Sequence, residues 1–427
     1  MNRPLVVVYD LGAAPPGDIA VGLAPLTPLL FAIPVNEHTT AMRPLLEQFG
    51  QVVEVESEES VDDAAEWLAA RGAAGIVTYS EKALRLTGAL ARALGLPHLG
   101  DHALAPLTDK ARQRAALRAA GVDAVRFHAL TTPDDWAAAA AETGLPAVLK
   151  PLYGGASTNT YLVRDAAEGD ALARRLLEEG APGYDPHGGL ILEEYLPGRD
   201  CGPFGDYVSV ESLVVAGRID HIAVTGKLPM VPPFRETGRF WPPSLDTVEE
   251  DEVRTIARDA ITALGITTGL VHTELKLTPS GPRLIEVNGR LGGGMNELAI
   301  HALGANLVEA GGRVALGEDV KLPELSTDEV FFHQFHPAPR RPCVLVGVDG
   351  GDDVRGMSGV GVYRVFSRPG AALAGGVHTQ EMDMVIGRVA DHAELAALAA
   401  AVDDRLVFRF SFDDGDLAVS GADLGAL

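Results

Sequence analysis

The segment 271–288 constrains this chain more than any other. It reads Val271-His272-Thr273-Glu274-Leu275-Lys276, then Thr278-Pro279-Ser280-Gly281-Pro282, then Leu284-Ile285-Glu286-Val287-Asn288. Two apolar-interleaved runs around a Pro/Ser/Gly turn predict a β-hairpin. Strand alternation places His272, Glu274 and Lys276 on one face, and Glu286, Asn288 and Arg290 on one face of the partner. With the turn centred on Ser280, opposed residue numbers sum to 560, so Glu274 lies opposite Glu286 and His272 opposite Asn288. Like charges facing each other across a ladder are destabilising. Two carboxylates and the Asn288 amide oxygen become sensible around a hard cation, and magnesium takes such oxygens while keeping room for phosphates and water. The other reading is a solvated acidic hairpin with its register displaced by a residue or two.

Directly after comes Gly289-Arg290-Leu291-Gly292-Gly293-Gly294-Met295. A glycine-rich stretch opening a helix turns backbone N–H groups toward an anion, and Arg290 is placed to neutralise a transferring phosphoryl group. A second signal is Lys150, ending an apolar strand and followed by Tyr153-Gly154-Gly155-Ala156-Ser157-Thr158. A small-residue loop of this kind can close over phosphates through its amides and Ser157. It is not a G-x-x-x-x-G-K-[ST] motif. Lys110 follows Thr108-Asp109 at a helix start. A third signal, Glu193-Glu194-Tyr195-Leu196-Pro197-Gly198, is a strand end that can offer backbone groups and a carboxylate to an adenine edge.

Composition sharpens these readings. The net charge of −24 would repel phosphate backbones, which argues against a broad nucleic-acid surface. Any anionic substrate must then be held by a few local cations. Lysine occurs only at 82, 110, 150, 227, 276 and 321, so arginine is the default cation here and a retained lysine suggests a phosphate contact. Two cysteines, Cys201 and Cys343, argue against a disulfide framework or cysteine-ligated zinc. The amino-terminal apolar run is too short for a signal peptide, and 21–35 is broken by Pro25, Pro28 and Pro34, so a soluble cytoplasmic protein is expected.

Alternating strands and helices over 1–105 predict a parallel α/β unit, without a dinucleotide fingerprint after the first strand. Residues 106–320 form a second unit, with a small lobe at about 123–195, and 321–427 a third of mixed strands and helix. Residues 226–245 hold five prolines and read as a substrate-facing lid loop. His333 and His336 fall three apart in a strand-like run and would face opposite sides, which makes shared metal ligation improbable.

The order of these elements (lysine, lysine with glycine loop, Glu-Glu-Tyr-Leu, then Glu, Glu-x-Asn and Arg) resembles the ATP-grasp carboxylate–amine ligases over roughly 105–315. Val224-Thr225-Gly226-Lys227, Pro232-Pro233-Phe234-Arg235-Glu236-Thr237-Gly238 and the 271–293 motif look like L-amino acid ligases and carnosine synthase-like enzymes. The resemblance implies an α/β ATP-grasp fold, with an N-terminal parallel domain and ATP between two lobes. It implies ATP phosphate contacts from Lys110, Lys150, Gly154, Gly155 and Ser157, and an adenine site framed by Glu193, Glu194 and Leu196. The ribose acid is Asp200 or Asp206, because Cys201–Gly205 looks inserted before Asp206-Tyr207-Val208-Ser209-Val210-Glu211. Glu274, Glu286 and Asn288 would hold two magnesium ions, manganese being an alternative. Lys150, Glu274, Glu286 and Arg290 would be catalytic, and Lys227, Glu236, His272, Arg290 and Gly293 would meet substrate. The implied reaction joins an acid, activated as an acyl phosphate, to an amine, in a protein that is commonly a dimer. A carboxylase-type ATP-grasp enzyme or a non-catalytic nucleotide-binding module is the alternative.

Overall fold

The computed structural model describes residues 3–100, 102–181, 183–184, 186–325 and 327–427. Met1 and Asn2 of the amino-terminal reading, and Pro182 and Asp185 of the loop after Gly180, lie outside the described residues.

Strands β1 (Leu5–Val8), β2 (Leu29–Pro34), β3 (Gly50–Val55) and β4 (Gly75–Val77) form a parallel sheet in the order β3-β2-β1-β4. All four β1 residues are buried, as expected of a strand covered on both faces by helices. β2 corrects the sequence reading of 21–35, which registered only the prolines. Pro28 and Pro34 delimit the strand rather than break it, and the helix Pro16–Leu23 precedes it.

The small lobe is an antiparallel sheet of β5 (Phe127–Leu130), β6 (Ala147–Pro151), β7 (Tyr161–Val163) and β8 (Leu190–Glu194), ordered β5-β8-β6-β7. Leu130, Leu149 and Leu192 pack there against Trp136, Ala139 and Leu176 of its two helices.

The centre carries β9 (Tyr207–Val215), β10 (Arg218–Lys227), β11 (Gly238–Trp241), β12 (Gly269–Thr278) and β13 (Gly281–Asn288). The carboxy-terminal segment adds β14 (Val330–Gln334), β15 (Cys343–Asp349), β16 (Val360–Val365), β17 (Ala372–Leu373), β18 (Asp383–Val389), β19 (Val407–Phe412) and β20 (Gly415–Ser420). One eight-stranded sheet runs β13-β12-β9-β10-β11-β14-β18-β16, and a four-stranded sheet runs β17-β15-β19-β20. Three strands from beyond residue 320 thus extend the central sheet. The lid expected at 226–245 is partly strand. β11 is locked between β10 and β14, with Phe240 and Trp241 buried, while the prolines stay outside it. Among the described residues, no helix is long and apolar enough to cross a membrane.

The hairpin forms with His272 opposite Asn288, Thr273 opposite Val287 and Glu274 opposite Glu286. Beyond Glu274 the register slips: Leu275 faces Leu284 and Lys276 faces Arg283. The turn is tighter by one residue than a Ser280-centred one, and a bulge at Ile285 restores the expected pairing on the far side. One face of the sheet is apolar: Val208, Val210, Val224, Val271, Leu275 and Val287 pack under the helix Thr247–Ala263. The other face is polar. Glu286, Glu274, Ser209 and Thr225 lie in register across β13, β12, β9 and β10, and Lys227, Arg239 and His333 across β10, β11 and β14.

Candidate active site

The polar face meets the amino-terminal and small lobes at its hairpin end. Lys110 begins the helix Lys110–Ala119, capped by Asp109, which accepts from the amides of Ala111 and Arg112. The helix start falls at Thr108-Asp109, as read from sequence, after a break that follows the short helix Leu104–Leu107. The Lys110 ammonium lies 2.9 Å from Glu286 and donates to the Gly154 carbonyl at 2.6 Å. Burial works against its charge, but Glu286, Glu81 and Glu193 outweigh it and raise its pKa.

Lys150, at the end of β6, pairs with Glu193 at 2.8 Å. Glu193 also takes a two-pronged pair from Arg114 at 2.8 and 3.1 Å. Burial alone would raise the Glu193 pKa, yet Arg114 and Lys150 pull it down to about 2. The carboxylate expected to frame adenine is therefore committed to holding Lys150. The Glu194 carboxylate goes to Arg126 at 2.7 Å and Arg283 at 3.5 Å. Leu196 is half-buried beyond the strand. Asp200 is exposed and accepts from the Gly202 amide within its own turn. Asp206 is half-buried and paired with Lys276 at 2.6 Å.

The loop after β6 is strained into left-handed backbone at Gly154, Ala156, Ser157 and Asn159. Non-glycine residues in that region cost on the order of 1–3 kcal/mol each and persist where surroundings hold them. Here the holding comes from the carboxy-terminal unit. The Asn159 amide donates to Val377 O at 2.7 Å, and the Thr379 amide donates to Ala156 O at 2.9 Å.

Arg290 follows the hairpin. Its Nε lies 3.2 Å from Glu81, a residue just past β4 in the amino-terminal unit, and its Nη1 donates to Leu291 O. Burial raises the Glu81 pKa to about 7 against the pull of Arg290. His272, expected to touch substrate, is only 5% exposed and has both ring nitrogens engaged. Nδ1 meets Glu211, and Nε2 meets Glu274 at 3.0 Å. Burial disfavours its charge, but Glu211 and Glu274 raise its pKa to about 9, so an imidazolium holds Glu274 in place. Glu211 also accepts from the Gly292 amide, and a Cβ at Gly292 would sit 2.6 Å from His272 Nδ1. That glycine is required by close approach.

Farther along the sheet, Lys227 is 1% exposed and lies 3.8 Å from Glu236, over the Tyr207 ring. Glu236 also accepts from Tyr207 and from Arg239 Nη2 at 3.2 Å. Arg235, fully buried, donates to Pro232 O, Ala338 O and Gly425 O, which pins the Pro-Pro turn to the carboxy-terminal unit. Gly293 is exposed at the mouth of this end.

Sequence reasoning brought Lys110, Glu274, Glu286 and Asn288 to one place and missed Arg114, Glu81 and Glu211. Arg114 was findable: it lies four residues after Lys110, on the same helix face. Among the described residues, no three His, Cys, Asp or Glu side chains come together as a metal cage. What the hairpin offers is two opposed carboxylates and an amide. That donor set suits a hard divalent ion whose remaining positions go to phosphate and water.

Solved structures share this architecture. An L-amino acid ligase from Bacillus licheniformis superposes with a TM-score of 0.80 at 22% identity, covering 95% of this chain and 98% of that one. The ADP complex of an N5-carboxyaminoimidazole ribonucleotide synthetase gives 0.68 at 16% identity, covering 94% and 96%. The fold is ATP-grasp. No family model matches the chain. Alanine–anticapsin ligase of Bacillus subtilis (strain 168) is 29% identical over 247 residues, 55% of this chain and 52% of that protein. Carnosine synthase 1 of Mus musculus is 29% identical over 267 residues, 58% of this chain and 31% of that protein. The chain is similar in sequence to these ligases and shares the ATP-grasp fold. Its match spans about half the length of the anticapsin ligase.

Proposed function

We propose that the protein is an ATP-dependent, ADP-forming ligase that joins an amino-acid carboxylate to an amine. The observation that carries this reading is the Glu274–Glu286 opposition with Asn288 beside it, on the face where Lys110 and Arg290 converge. The order of events follows from those groups. A substrate carboxylate oxygen attacks the γ-phosphorus, the bond to the β-phosphate bridging oxygen breaks, and ADP leaves. The amine then attacks the acyl carbon, phosphate departs, and the amine gives up a proton.

Lys110 and Lys150 are assigned to ATP phosphates, with Arg114 and Glu193 positioning Lys150. The loop 153–158 covers the phosphates and excludes water that would hydrolyse the acyl phosphate. Arg290 neutralises the acyl phosphate, while Glu81 keeps its guanidinium aimed. Glu274, Glu286 and Asn288 would hold magnesium, two ions in this reading, which supply charge neutralisation for phosphoryl transfer. Backbone groups around Glu193–Leu196 frame the adenine, and Asp206 or Asp200 meets the ribose. Lys227, Glu236 and Gly293 face substrate. The division into 1–105, 106–320 and 321–427, a homodimer and a cytoplasmic setting belong to the same reading.

ADP and phosphate release, measured across a panel of amino acids with and without a second amine, tests it. Amide product with stoichiometric ADP is expected. AMP and pyrophosphate would overturn the route, and nucleotide binding without turnover would leave a binding module.

A further inference from the structure

A cavity of about 370 Å³ opens between the helix Leu84–Leu94, the connecting segment 96–104 and the segment 265–267 that leads into β12. None of its lining residues belongs to the site described above. Its volume falls within the range of small-molecule sites. Ala91, Leu96 and Leu104 give it apolar walls, and Arg92, His98 and His102 give it nitrogen donors. In a chain of net charge −24, no Asp or Glu stands among the described lining residues. Arg92 is exposed, and its guanidinium makes no hydrogen bond or ion pair among the described residues. His98 keeps Nε2 buried and without a hydrogen-bond partner among the described residues. Burial lowers its pKa to about 4, so the ring is neutral near pH 7. A local excess of unpaired cation and donors over acids attracts an anion.

The cavity backs directly onto the hairpin. Its lining includes Leu99, which is 1% exposed and left-handed at φ 44°. A non-glycine residue persists in that region only where its surroundings hold it. Here Leu99 O accepts from the Thr267 amide and from Thr267 Oγ1 at 3.3 Å. On its far side Leu99 packs against the backbone of Gly289, the residue before Arg290, where a Cβ would lie 2.9 Å from Leu99 Cδ1. The other hold on Arg290 is Glu81, whose carbonyl accepts from the Leu84 amide at the start of the helix that walls the cavity. Gly289 and Glu81, the two supports of Arg290, thus each touch an element that lines the cavity.

We propose that this cavity is a regulatory site for a small organic carboxylate with an apolar body, and that filling it presses Leu99 toward Gly289 and loosens Arg290. Arg92 offers a planar fork that matches a carboxylate, His98 adds a neutral ring, and the apolar walls take the body of the ligand. Arg290 is already aligned by Glu81, so displacing its backbone lowers the rate. Binding at the cavity is independent of the ligase reading; the effect on rate rests on it.

Calorimetry on the full chain with pentanoate, pentanamide and inorganic phosphate tests the site. Pentanoate should bind with a Kd of about 1 mM or tighter. Pentanamide lacks the charge and phosphate lacks the apolar body, so each should bind at least about tenfold more weakly. Arg92→Gln should weaken pentanoate by about tenfold or more, while its ADP release without pentanoate stays within about twofold of the wild type. Arg92→Lys, which keeps charge but loses the fork, should fall between. Saturating pentanoate should lower the wild-type kcat for ADP release by about fivefold without raising KM for the acid substrate. No binding up to about 20 mM would overturn the proposal, and so would equal affinity in the wild type and Arg92→Gln, or phosphate binding as tightly as pentanoate. Binding with an unchanged kcat, or inhibition that the acid substrate competes away, would overturn the link to Arg290. Absence of ADP release with every acid tried would instead sink the ligase reading, and calorimetry would still decide the cavity.

Discussion

The two ends of the polar face have opposite electrostatic characters. At the hairpin, the charged groups are matched: Glu286 with Lys110, Glu274 with His272, His272 with Glu211, and Arg290 with Glu81. At the β11–β14 end, Arg239 keeps two nitrogens open, while His333 lies against the Gly294 backbone with Glu381 3.9 Å away. The first end is a closed set of charges, each already holding a partner. The second is rigid and incomplete. Preorganised charge favours chemistry on one particular group, whereas open donors favour recognition of whichever molecule supplies the acceptor. Two histidines repeat the contrast three residues apart. His333 is driven well below its usual pKa by burial and nearby cations. His336 is also buried, but Asp383 and Asp403 raise it to about 10.

The largest effect should come from the matched end. Glu286→Gln or Glu274→Gln should cut ADP release by roughly a thousandfold, the scale of losing a preorganised electrostatic contact at phosphoryl transfer. A coupled ADP assay at saturating magnesium checks it, and near-normal turnover in either variant would remove the hairpin from the chemistry. Next, Arg114→Met breaks a buried ion set and leaves Glu193 with Lys150 alone. A loss of about 3 kcal/mol in denaturant unfolding is expected, with a raised KM for ATP. If the ATP dependence stays unchanged, Lys150 is not being positioned.

His336 gives a pH-gated effect. Its folded pKa lies above its unfolded value, so its contribution is fully present below about pH 6.5 and is lost as pH rises through about 10. The melting temperature should therefore fall between about pH 6.5 and 10, and His336→Gln should flatten that decline. Equal slopes in the two proteins would argue against a charged His336. The smallest effect belongs to Thr379→Val. Thr379 Oγ1 accepts from the Glu236 amide at 3.1 Å. Its loss should cost about 1 kcal/mol, read as a severalfold rise in substrate KM with kcat little changed.

Legibility followed sequence distance. The facing glutamates could be read because both strands and their turn lie within one continuous stretch, 269–288. The exact register could not, since the Ile285 bulge leaves no mark in an apolar run. The signals for Lys110 and Lys150 were lysines in an arginine-rich chain. Glu193 was visible as a position, but its partner Arg114 is 79 residues away, so its pairing with Arg114 and Lys150 was not. Likewise β11 was hidden among prolines, and Arg239, His333 and Glu381 come from three separate stretches whose adjacency only the sheet order creates. Gly292 and Gly294 look like ordinary turn glycines in sequence; their need for empty space appears once His272 and Arg239 are in place.

The bonds from Val377 and Thr379 fasten the strained loop after β6 to the far end of the chain. Any lifting of that loop means peeling two main-chain bonds off a segment that ends two residues before Glu381. Such a movement would tug on the very stretch that borders Arg239, so disturbing one wall loosens the other.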